Sequence, residues 1–210
     1  ASDVYKRQVR VYARGATGWT AQPVDLPDNA TISTVAASDK SDKIYLSVAG
    51  FLAPTTLWAM DAANPKPVQV KAMPARFDAA GLVVEQFEAT STDGTKIPYF
   101  IVHKKGITPD GSTPTIMTAY GGFEVPMTPS YAAITGKLWL ERGNSFVLAN
   151  IRGGGEFGPA WHEAGLKTRR QIIYDDFAAV AQDIFARKLS SPQKFGIYGG
   201  SNGGLLMGVA

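Results

Sequence analysis

One short motif restricts the fold of this chain more than any other feature. Residues 199–203, Gly-Gly-Ser-Asn-Gly, have the spacing G-x-S-x-G, which is typical of a serine on a sharp turn between a strand and a helix. The preceding Lys194–Tyr198 favours a short strand, and the apolar residues from Gly203 onward favour a helix. The glycines allow the strand and helix to approach closely. The motif therefore predicts an α/β fold in which Ser201 is a nucleophile.

A serine nucleophile needs donors for the oxyanion that forms on the attacked carbonyl. The backbone N–H of Asn202, at the start of the predicted helix, is one candidate. A second donor usually comes from the loop after an early strand, and Tyr120-Gly121-Gly122-Phe123 directly follows the apolar run TIMTA. The hydroxyl of Tyr120 is able to donate there. The residue pattern alone leaves open whether Tyr120 does this or only packs at a strand end.

The pattern of apolar residues indicates two kinds of structure along the chain. Short strands with turn signals between them extend from Val9 to about Val70, with Ile44, Leu46 and Val48 on one face, and fit a sandwich, a barrel or a propeller. A linker is expected near Met73–Gly81. Beyond it, strands alternate with helices, as in a mostly parallel sheet covered by helices. The expected elements are strands at Val83–Ala89, Ile97–Lys104, Thr115–Ala119 and Ser145–Asn150, and helices near Ala132–Glu141 and at Gln171–Leu189.

A second glycine motif suggests an alternative function. Gly153, Gly155 and Gly158 satisfy G-x-G-x-x-G after a strand, which is the pattern of a dinucleotide-binding loop. However, Pro159 follows instead of an immediate amphipathic helix. The acids about 20 residues on, Asp175 and its neighbour, fall in a predicted helix and not at the end of a second strand. A structural or site-lining loop is therefore favoured.

Composition excludes several classes of function. The chain has 210 residues, a formal net charge of +3 and no basic block, so nucleic-acid binding is not indicated. No apolar run reaches the roughly 18 residues of a membrane span. The absence of cysteine excludes disulfides and thiolate metal sites, and two widely separated histidines give no metal signal.

Neither histidine fits the role of the catalytic base. His103 lies on the predicted strand YFIVHKKG, where a surface or hydrogen-bonded residue is expected, and His162 follows the second glycine motif. Hydrolases with a G-x-S-x-G turn have the chain order serine, acid, histidine, and both histidines precede Ser201.

The first eight residues, ASDVYKRQ, match the translation of the end of a common transposon-type sequencing adapter. We therefore leave residues 1–8 out of the prediction of the fold. This match also leads us to expect that the sequence is a fragment open at its start, and a fragment can be open at its end as well.

Three stretches in this order and spacing together resemble the prolyl oligopeptidase family of serine peptidases: AYGGFEVPMTPSY, NIRGGGEFGPAWHEAG and GGSNGGLL. The resemblance covers most of Val83–Ala210 and is weaker over Val9–Ala80. It implies that residues 9–80 are the C-terminal part of a β-propeller. Residues 81–210 would be the N-terminal part of an α/β-hydrolase peptidase domain.

The resemblance also implies roles for individual residues. Ser201 is similar to the family nucleophile, Asn202 would give its backbone N–H and Tyr120 its hydroxyl to the oxyanion hole, and Phe123 matches an aromatic near the substrate pocket. The family cleaves short peptides without a cofactor, and prolyl oligopeptidases proper cut after proline. The family's Asp and His would lie beyond Ala210, so the isolated chain is expected to be inactive. It is also expected to fold poorly, because the absence of the family's later strands and helices would expose apolar sheet surface and an open sheet edge.

Several alternatives stay open at this point. The same fold carries acylaminoacyl peptidases, oligopeptidase B and esterases, and the residues that would set the preference for the cleaved bond would lie mostly beyond Ala210. A non-catalytic interaction module is a further alternative. The sequence does not decide the oligomeric state, or whether the compartment is cytoplasmic or periplasmic.

Overall fold

The structure is a computed structural model that describes residues 9–210, so the adapter interpretation of residues 1–8 lies outside the described residues. The described chain divides into two compact units. One comprises residues 9–76 together with Thr128–Ala133, and the other comprises Phe77–Met127 and Ile134–Ala210. The first division falls between Arg76 and Phe77, inside the segment that the sequence suggests as a linker.

The first unit is built from antiparallel strands. Leu46 and Val48 are buried and Ile44 is half-buried, as the alternation in this segment predicts. The strands are β1 (Arg10–Gly15), β2 (Gly18–Pro23), β3 (Ala30–Ser38), β4 (Ser41–Gly50), β5 (Thr56–Asp61) and β6 (Asn64–Ala72). Strands β3 to β6 pair in sequence order as a four-stranded sheet, and β1 and β2 form a separate hairpin.

The second unit contains a mixed five-stranded sheet. Its strands are β7 (Leu82–Thr90), β8 (Lys96–Lys104), β9 (Thr115–Thr118), β10 (Ser145–Ala149) and β11 (Phe195–Ile197). They lie in the order β11-β9-β10-β8-β7. The pairs β11–β9 and β9–β10 are parallel, whereas β8 is antiparallel to both β10 and β7. All five residues of β10 are buried, as expected of a parallel strand covered on both faces.

Four α-helices belong to this part of the chain, and the longest one packs on the sheet. They are α1 (Ala133–Leu138), α2 (Pro159–Glu163), α3 (Gln171–Ala186) and α4 (Asn202–Val209). Helix α3 buries Ile173, Phe177, Val180 and Ile184 at a spacing of three to four residues, as predicted.

Helix α3 ends three residues before the predicted Leu189. Lys188 has a φ of 56°, the left-handed conformation that stops a helix. The N–H of Leu189 donates to the carbonyl of Ile184, and the N–H of Lys188 donates to that of Phe185. These two bonds form a Schellman motif, so Leu189 is buried as the residue that follows the helix and not as part of it.

A buried ion pair joins α3 to the segment after β10. The Nη2 of Arg152 lies 2.6 Å from Asp176 Oδ1, and its Nε lies 2.9 Å from Oδ2. Asp176 is fully buried and also accepts the main-chain N–H of Arg152. Asp93 pairs with the same guanidinium, which holds the pKa of the Asp93 carboxyl well below its usual range. The sequence offers only the helix dipole as a reason for acids near the start of α3.

Candidate active site

Ser201 lies on the turn between β11 and α4. Its φ of 53° and ψ of −121° are unusual for a residue with a side chain, and such a conformation costs roughly 1–3 kcal/mol. Ser201 is exposed to solvent at the N-terminal end of an eight-residue helix. A strained turn that presents a serine in this way is the geometry that the G-x-S-x-G pattern predicts.

The close approach of strand and helix explains two of the glycines. A Cβ atom on Gly199 would lie 2.5 Å from the carbonyl oxygen of Gly203. A Cβ on Gly203 would lie 2.8 Å from the carbonyl oxygen of Ala119, at the end of the neighbouring strand β9. Neither position has room for a side chain, so the first turn of α4 can sit directly on the ends of β9 and β11.

The two candidate oxyanion donors are at the same edge of the sheet as Ser201. Strands β9 and β11 are adjacent and parallel, so Tyr120 and Ser201 both follow carboxyl ends at one edge. A Cβ built on Gly203 would lie 3.8 Å from Tyr120 Cδ2, which places the tyrosine ring beside the first turn of α4. Asn202 is the first residue of α4, and the N–H of a first helical residue has no partner inside its helix.

Phe123 is accessible next to Tyr120. Its side chain is 72% exposed, and the centroids of the two rings are 6.5 Å apart. Phe123 and Glu124 both have a positive φ, so the loop after β9 is held in a conformation that few side chains adopt. The structure therefore brings Ser201, Asn202, Tyr120 and Phe123 to one edge of the sheet.

Arg170 is a residue of this site that the sequence patterns did not reveal. It directly precedes α3, and its Nη2 donates to the side-chain oxygen of Asn202 over 2.6 Å. The side-chain nitrogen of Asn202 in turn donates to the main-chain oxygen of Tyr120, also over 2.6 Å. Arg170 and Asn202 are separated by 32 residues, and no local spacing connects them.

The glycine loop, residues 153–158, is filled by groups of the protein itself. The Nδ1 of His162 lies 2.7 Å from the carbonyl oxygen of Gly153, and a Cβ on Gly155 would overlap the carbonyl oxygen of Glu124. The helix that follows, α2, has five residues. A dinucleotide-binding loop instead leaves its backbone free for a pyrophosphate and leads directly into a long helix, so this geometry does not favour the dinucleotide alternative.

Glu156 lies inside the same loop and is 1% exposed. Its Oε1 accepts the main-chain N–H of Met127 over 2.9 Å, and its Oε2 has no hydrogen-bond partner in the part of the chain that the structure describes. Burial raises the pKa of Glu156 to about 7, which favours the neutral carboxylic acid.

His103 lies far from the glycine loop that contains the contacts of His162. His103 is buried, with Nε2 2.5 Å from Glu85 Oε2 and Nδ1 2.9 Å from the carbonyl oxygen of Lys104. Since β8 runs antiparallel to β10, His103 lies at the sheet edge opposite the carboxyl ends of β9 and β11. Of the two possibilities that the sequence leaves for His103, a surface residue or a hydrogen-bonded one, the structure shows the hydrogen-bonded one.

Among residues 9–210, no group of three or more histidine, aspartate or glutamate side chains is placed to hold a metal ion. Within the same residues, no helix has both the length and the apolar character needed to cross a membrane.

Comparison with known proteins points to one family. The sequence model of the prolyl oligopeptidase family matches residues 130–210. An uncharacterized peptidase of Sinorhizobium fredii, named y4nA, is 56% identical over 202 residues, which is 96% of this chain and 28% of that protein.

Solved structures give the same result. A post-proline cleaving enzyme from Rickettsia typhi superposes with a TM-score of 0.84 at 38% identity, covering 97% of this chain and 29% of that one. Oligopeptidase B from Leishmania major has a TM-score of 0.82 at 27% identity, covering 96% and 30%. The chain thus spans less than a third of the length of these relatives.

Proposed function

The chain belongs to the prolyl oligopeptidase family, and from that premise we propose that the full-length protein is a serine peptidase. It hydrolyses short peptides after proline through an acyl-enzyme on Ser201. Residues 81–210 would be the N-terminal part of its α/β-hydrolase domain, and residues 9–80 the C-terminal part of a β-propeller. The mixed five-stranded sheet and the four-stranded antiparallel sheet are consistent with these assignments.

The observation that carries the proposal is the exposed, strained turn at Ser201. The residue lies at the end of a strand and in front of the N-terminus of α4, and the packing around it maintains the strained backbone. In this position the Ser201 oxygen can reach a substrate carbonyl while the positive end of the helix faces the charge that develops.

The proposed reaction has two halves. The Oγ of Ser201 attacks the carbonyl carbon of the scissile peptide bond, and a histidine base accepts its proton and passes it to the departing amine. Water then attacks the carbonyl carbon of the acyl-enzyme and gives one proton to the same base. The carbon–Oγ bond breaks, the base returns that proton to Oγ, and the carboxylic acid is released with the Ser201 hydroxyl restored. No cofactor takes part in this chemistry.

The oxyanion of each tetrahedral intermediate would be bound by two donors from different elements. One is the backbone N–H of Asn202 at the start of α4, and the other is the hydroxyl of Tyr120 after β9. Support comes from their shared edge of the sheet and from the packing of the Tyr120 ring near Gly203. Phe123, exposed beside Tyr120, would contact the substrate.

The base is not proposed to be either histidine of this chain. His103 is buried at the opposite edge of the sheet, with partners for both ring nitrogens. The Nδ1 of His162 is engaged by the carbonyl oxygen of Gly153. We therefore assign the catalytic acid and base to a part of the full-length protein outside these 210 residues.

A sister activity on the same fold is the second candidate. The similarity to oligopeptidase B supports it, because the TM-score is nearly that of the post-proline cleaving enzyme. The higher sequence identity to the latter, 38% against 27%, favours cleavage after proline.

The test uses the full-length gene product with a fluorophosphonate probe and three peptide substrates, with proline, arginine or an acetylated residue before the scissile bond. We expect the probe to label the wild type, and the proline substrate to be cleaved fastest. Ser201→Ala should abolish both labelling and cleavage, whereas Ser112→Ala, at an exposed serine elsewhere, should change neither.

Two outcomes would contradict the proposal in different ways. Labelling or cleavage that survives in Ser201→Ala would remove the nucleophile assignment. Turnover of the arginine substrate alone would leave the serine peptidase in place and reject the preference for proline in favour of the sister activity.

A further inference from the structure

The side chain of Asn202 lies between a cation and a main-chain carbonyl. Its Oδ1 accepts from Arg170 Nη2, and its Nδ2 donates to the Tyr120 carbonyl oxygen, both over 2.6 Å. A guanidinium can only donate and a carbonyl can only accept, so the two neighbours allow one orientation of the amide. Asn202 is 8% exposed, so these partners are the ones that satisfy its polar atoms inside the protein.

The guanidinium of Arg170 is itself oriented by a second bond. Its Nε donates to the hydroxyl of Tyr174 over 2.9 Å, one turn into α3. Two bonds from different nitrogens fix the plane of the guanidinium, which the single charged amine of a lysine could not do. Since the hydrogen bond from Arg170 to Asn202 involves a charged donor, it is stronger than one between neutral groups.

This series of bonds connects the two proposed oxyanion donors. The side chain of Asn202 belongs to the residue whose backbone N–H would be one donor, and the carbonyl that it contacts belongs to Tyr120, whose hydroxyl would be the other. A Cβ on Gly122 would lie 2.5 Å from Asn202 Nδ2, so the loop after β9 lies tightly against this amide. The spacing between α4 and that loop therefore depends on Asn202, and the orientation of Asn202 depends on Arg170.

We propose that Arg170 is a positioning residue that fixes the geometry of the oxyanion hole through the side chain of Asn202. The inference rests on the proposed function, because it assigns a role relative to the oxyanion formed at Ser201. Arg170 contacts neither the substrate nor the reacting atoms in this role. It acts by keeping the Asn202 N–H and the Tyr120 hydroxyl at a constant separation, before the substrate arrives.

The experiment compares Arg170→Gln and Arg170→Lys with the wild type in the full-length protein, and uses Arg169→Gln, at the exposed neighbouring arginine, as the matched control. Loss of one complete oxyanion donor typically costs about 100- to 1,000-fold in kcat. We expect Arg170→Gln to lose about 10- to 100-fold, mainly in kcat, because both donors remain but are less well placed. Arg170→Lys should lose less, and Arg169→Gln should stay within about threefold of wild type, since Arg169 donates to the carbonyl oxygen of Glu163 and the bond from Arg170 to Asn202 is retained.

A peptidyl aldehyde inhibitor separates positioning from a merely structural role. It forms a tetrahedral adduct with a serine nucleophile, and the adduct carries the oxyanion. Its affinity should fall by the same factor as kcat/KM in Arg170→Gln, while KM and the affinity of the corresponding peptide alcohol stay near wild type. Combining Arg170→Gln with Tyr120→Phe should cost less than the product of the two single effects, because both act on one hole.

Several results would overturn the positioning role. These are kcat/KM of Arg170→Gln within about twofold of wild type, a loss confined to KM, unchanged aldehyde affinity, or full additivity with Tyr120→Phe. If Arg170→Gln does not fold, the same comparisons apply to Arg170→Lys, where unchanged kcat/KM and aldehyde affinity reject the role. Ser201→Ala is measured in parallel. If that variant stays active, the proposed function and the role of Arg170 fall together, and if it is inactive while Arg170→Gln keeps full activity, only the role of Arg170 is rejected.

Discussion

Two glycine-rich turns follow parallel strands of the same sheet and differ in what occupies the space beside their backbones. In the elbow turn, residues 199–203, the strand and helix backbones touch each other, and Ser201 is left exposed in a strained conformation. In the glycine loop, the space is taken by the Glu124 carbonyl, the buried carboxyl of Glu156 and the ring of His162. The glycines of both turns predict a close approach of backbone segments. The two turns differ in that protein groups fill the space beside the glycine loop, whereas the elbow turn exposes a serine. Changes at the elbow turn should therefore alter catalysis, and changes at the glycine loop should alter stability.

The largest expected effect is on the structural side of this comparison. Asp176→Asn removes the charge that pairs with Arg152 at the entrance of the glycine loop and leaves a buried guanidinium only partly compensated. Breaking a buried ion pair by removing one partner typically costs about 3–5 kcal/mol. We expect the free energy of unfolding to fall by that amount in denaturant titrations of the full-length protein. Asp175→Asn, at the neighbouring residue of α3, is the matched control and should change it by less than about 1 kcal/mol.

Retention of wild-type stability in Asp176→Asn would show that Asp93 alone is a sufficient partner for Arg152. The glycine loop would then not depend on its connection to α3, and the distinction between the two turns would be weaker.

On the side of the elbow turn, Tyr120→Phe should change the chemistry and leave the fold intact. The ring that packs beside Gly203 is kept, and only the hydroxyl is lost. Removal of one oxyanion donor predicts a fall in kcat of about 100- to 1,000-fold, with the midpoint of thermal unfolding unchanged. Steady-state kinetics and thermal scans of the same preparation measure both. Wild-type kcat would assign Tyr120 to packing at the strand end, the alternative that its sequence context leaves open.

The sequence allowed more of the fold to be predicted than of the site. Strands β7 to β11 follow from short apolar runs bounded by turn residues, helix α3 follows from a stripe of apolar residues, and the turn at Ser201 follows from five adjacent residues. The contacts that support the turn could not be predicted in the same way. Arg152 meets Asp176 across 24 residues, and Arg170 meets Asn202 across 32, so both pairs exist only once the helices are packed. Charged side chains before and within a helix have many possible partners, and the sequence does not choose among them.

The third prediction concerns the pH dependence of the free energy of unfolding, which we expect to come from Glu156 in the glycine loop. Burial raises the pKa of Glu156 to about 7, whereas the unfolded chain has the ordinary value near 4.5. Below about pH 4.5 both states hold the proton, and between about pH 4.5 and 7 only the folded state does. The free energy of unfolding should therefore fall by up to about 3 kcal/mol as the pH rises through this window, and level off above it.

Glu156→Gln tests this dependence, because the amide keeps the shape and the acceptor oxygen for Met127 but never ionises. We expect it to be more stable than the wild type at pH 8 and similar to it at pH 4.5, in thermal scans of the full-length protein. Glu163→Gln, at an exposed glutamate of α2, should follow the wild type at both pH values. If Glu156→Gln also follows the wild type at both, then Glu156 is not the group that titrates in this window.

The smallest expected changes in activity and stability are those of His162 variants. If His162 took part in catalysis, the glycine loop would be a catalytic turn and not a structural one. The Nδ1 of His162 lies 2.7 Å from the Gly153 carbonyl oxygen and 3.1 Å from the main-chain nitrogen of Glu124. In the tautomer that carries a proton on Nδ1, the ring donates to the Gly153 carbonyl and closes the glycine loop. Asparagine places an N–H close to the same position, and His162→Asn should keep this bond, with kcat/KM within about threefold of wild type and an unchanged pH profile. His162→Ala should lose about 1 kcal/mol of stability, the usual contribution of one hydrogen bond, without a matching loss of activity. A fall of about 10⁴-fold in kcat/KM for His162→Asn, at unchanged stability, would instead identify His162 as the catalytic base and make the glycine loop part of the active site.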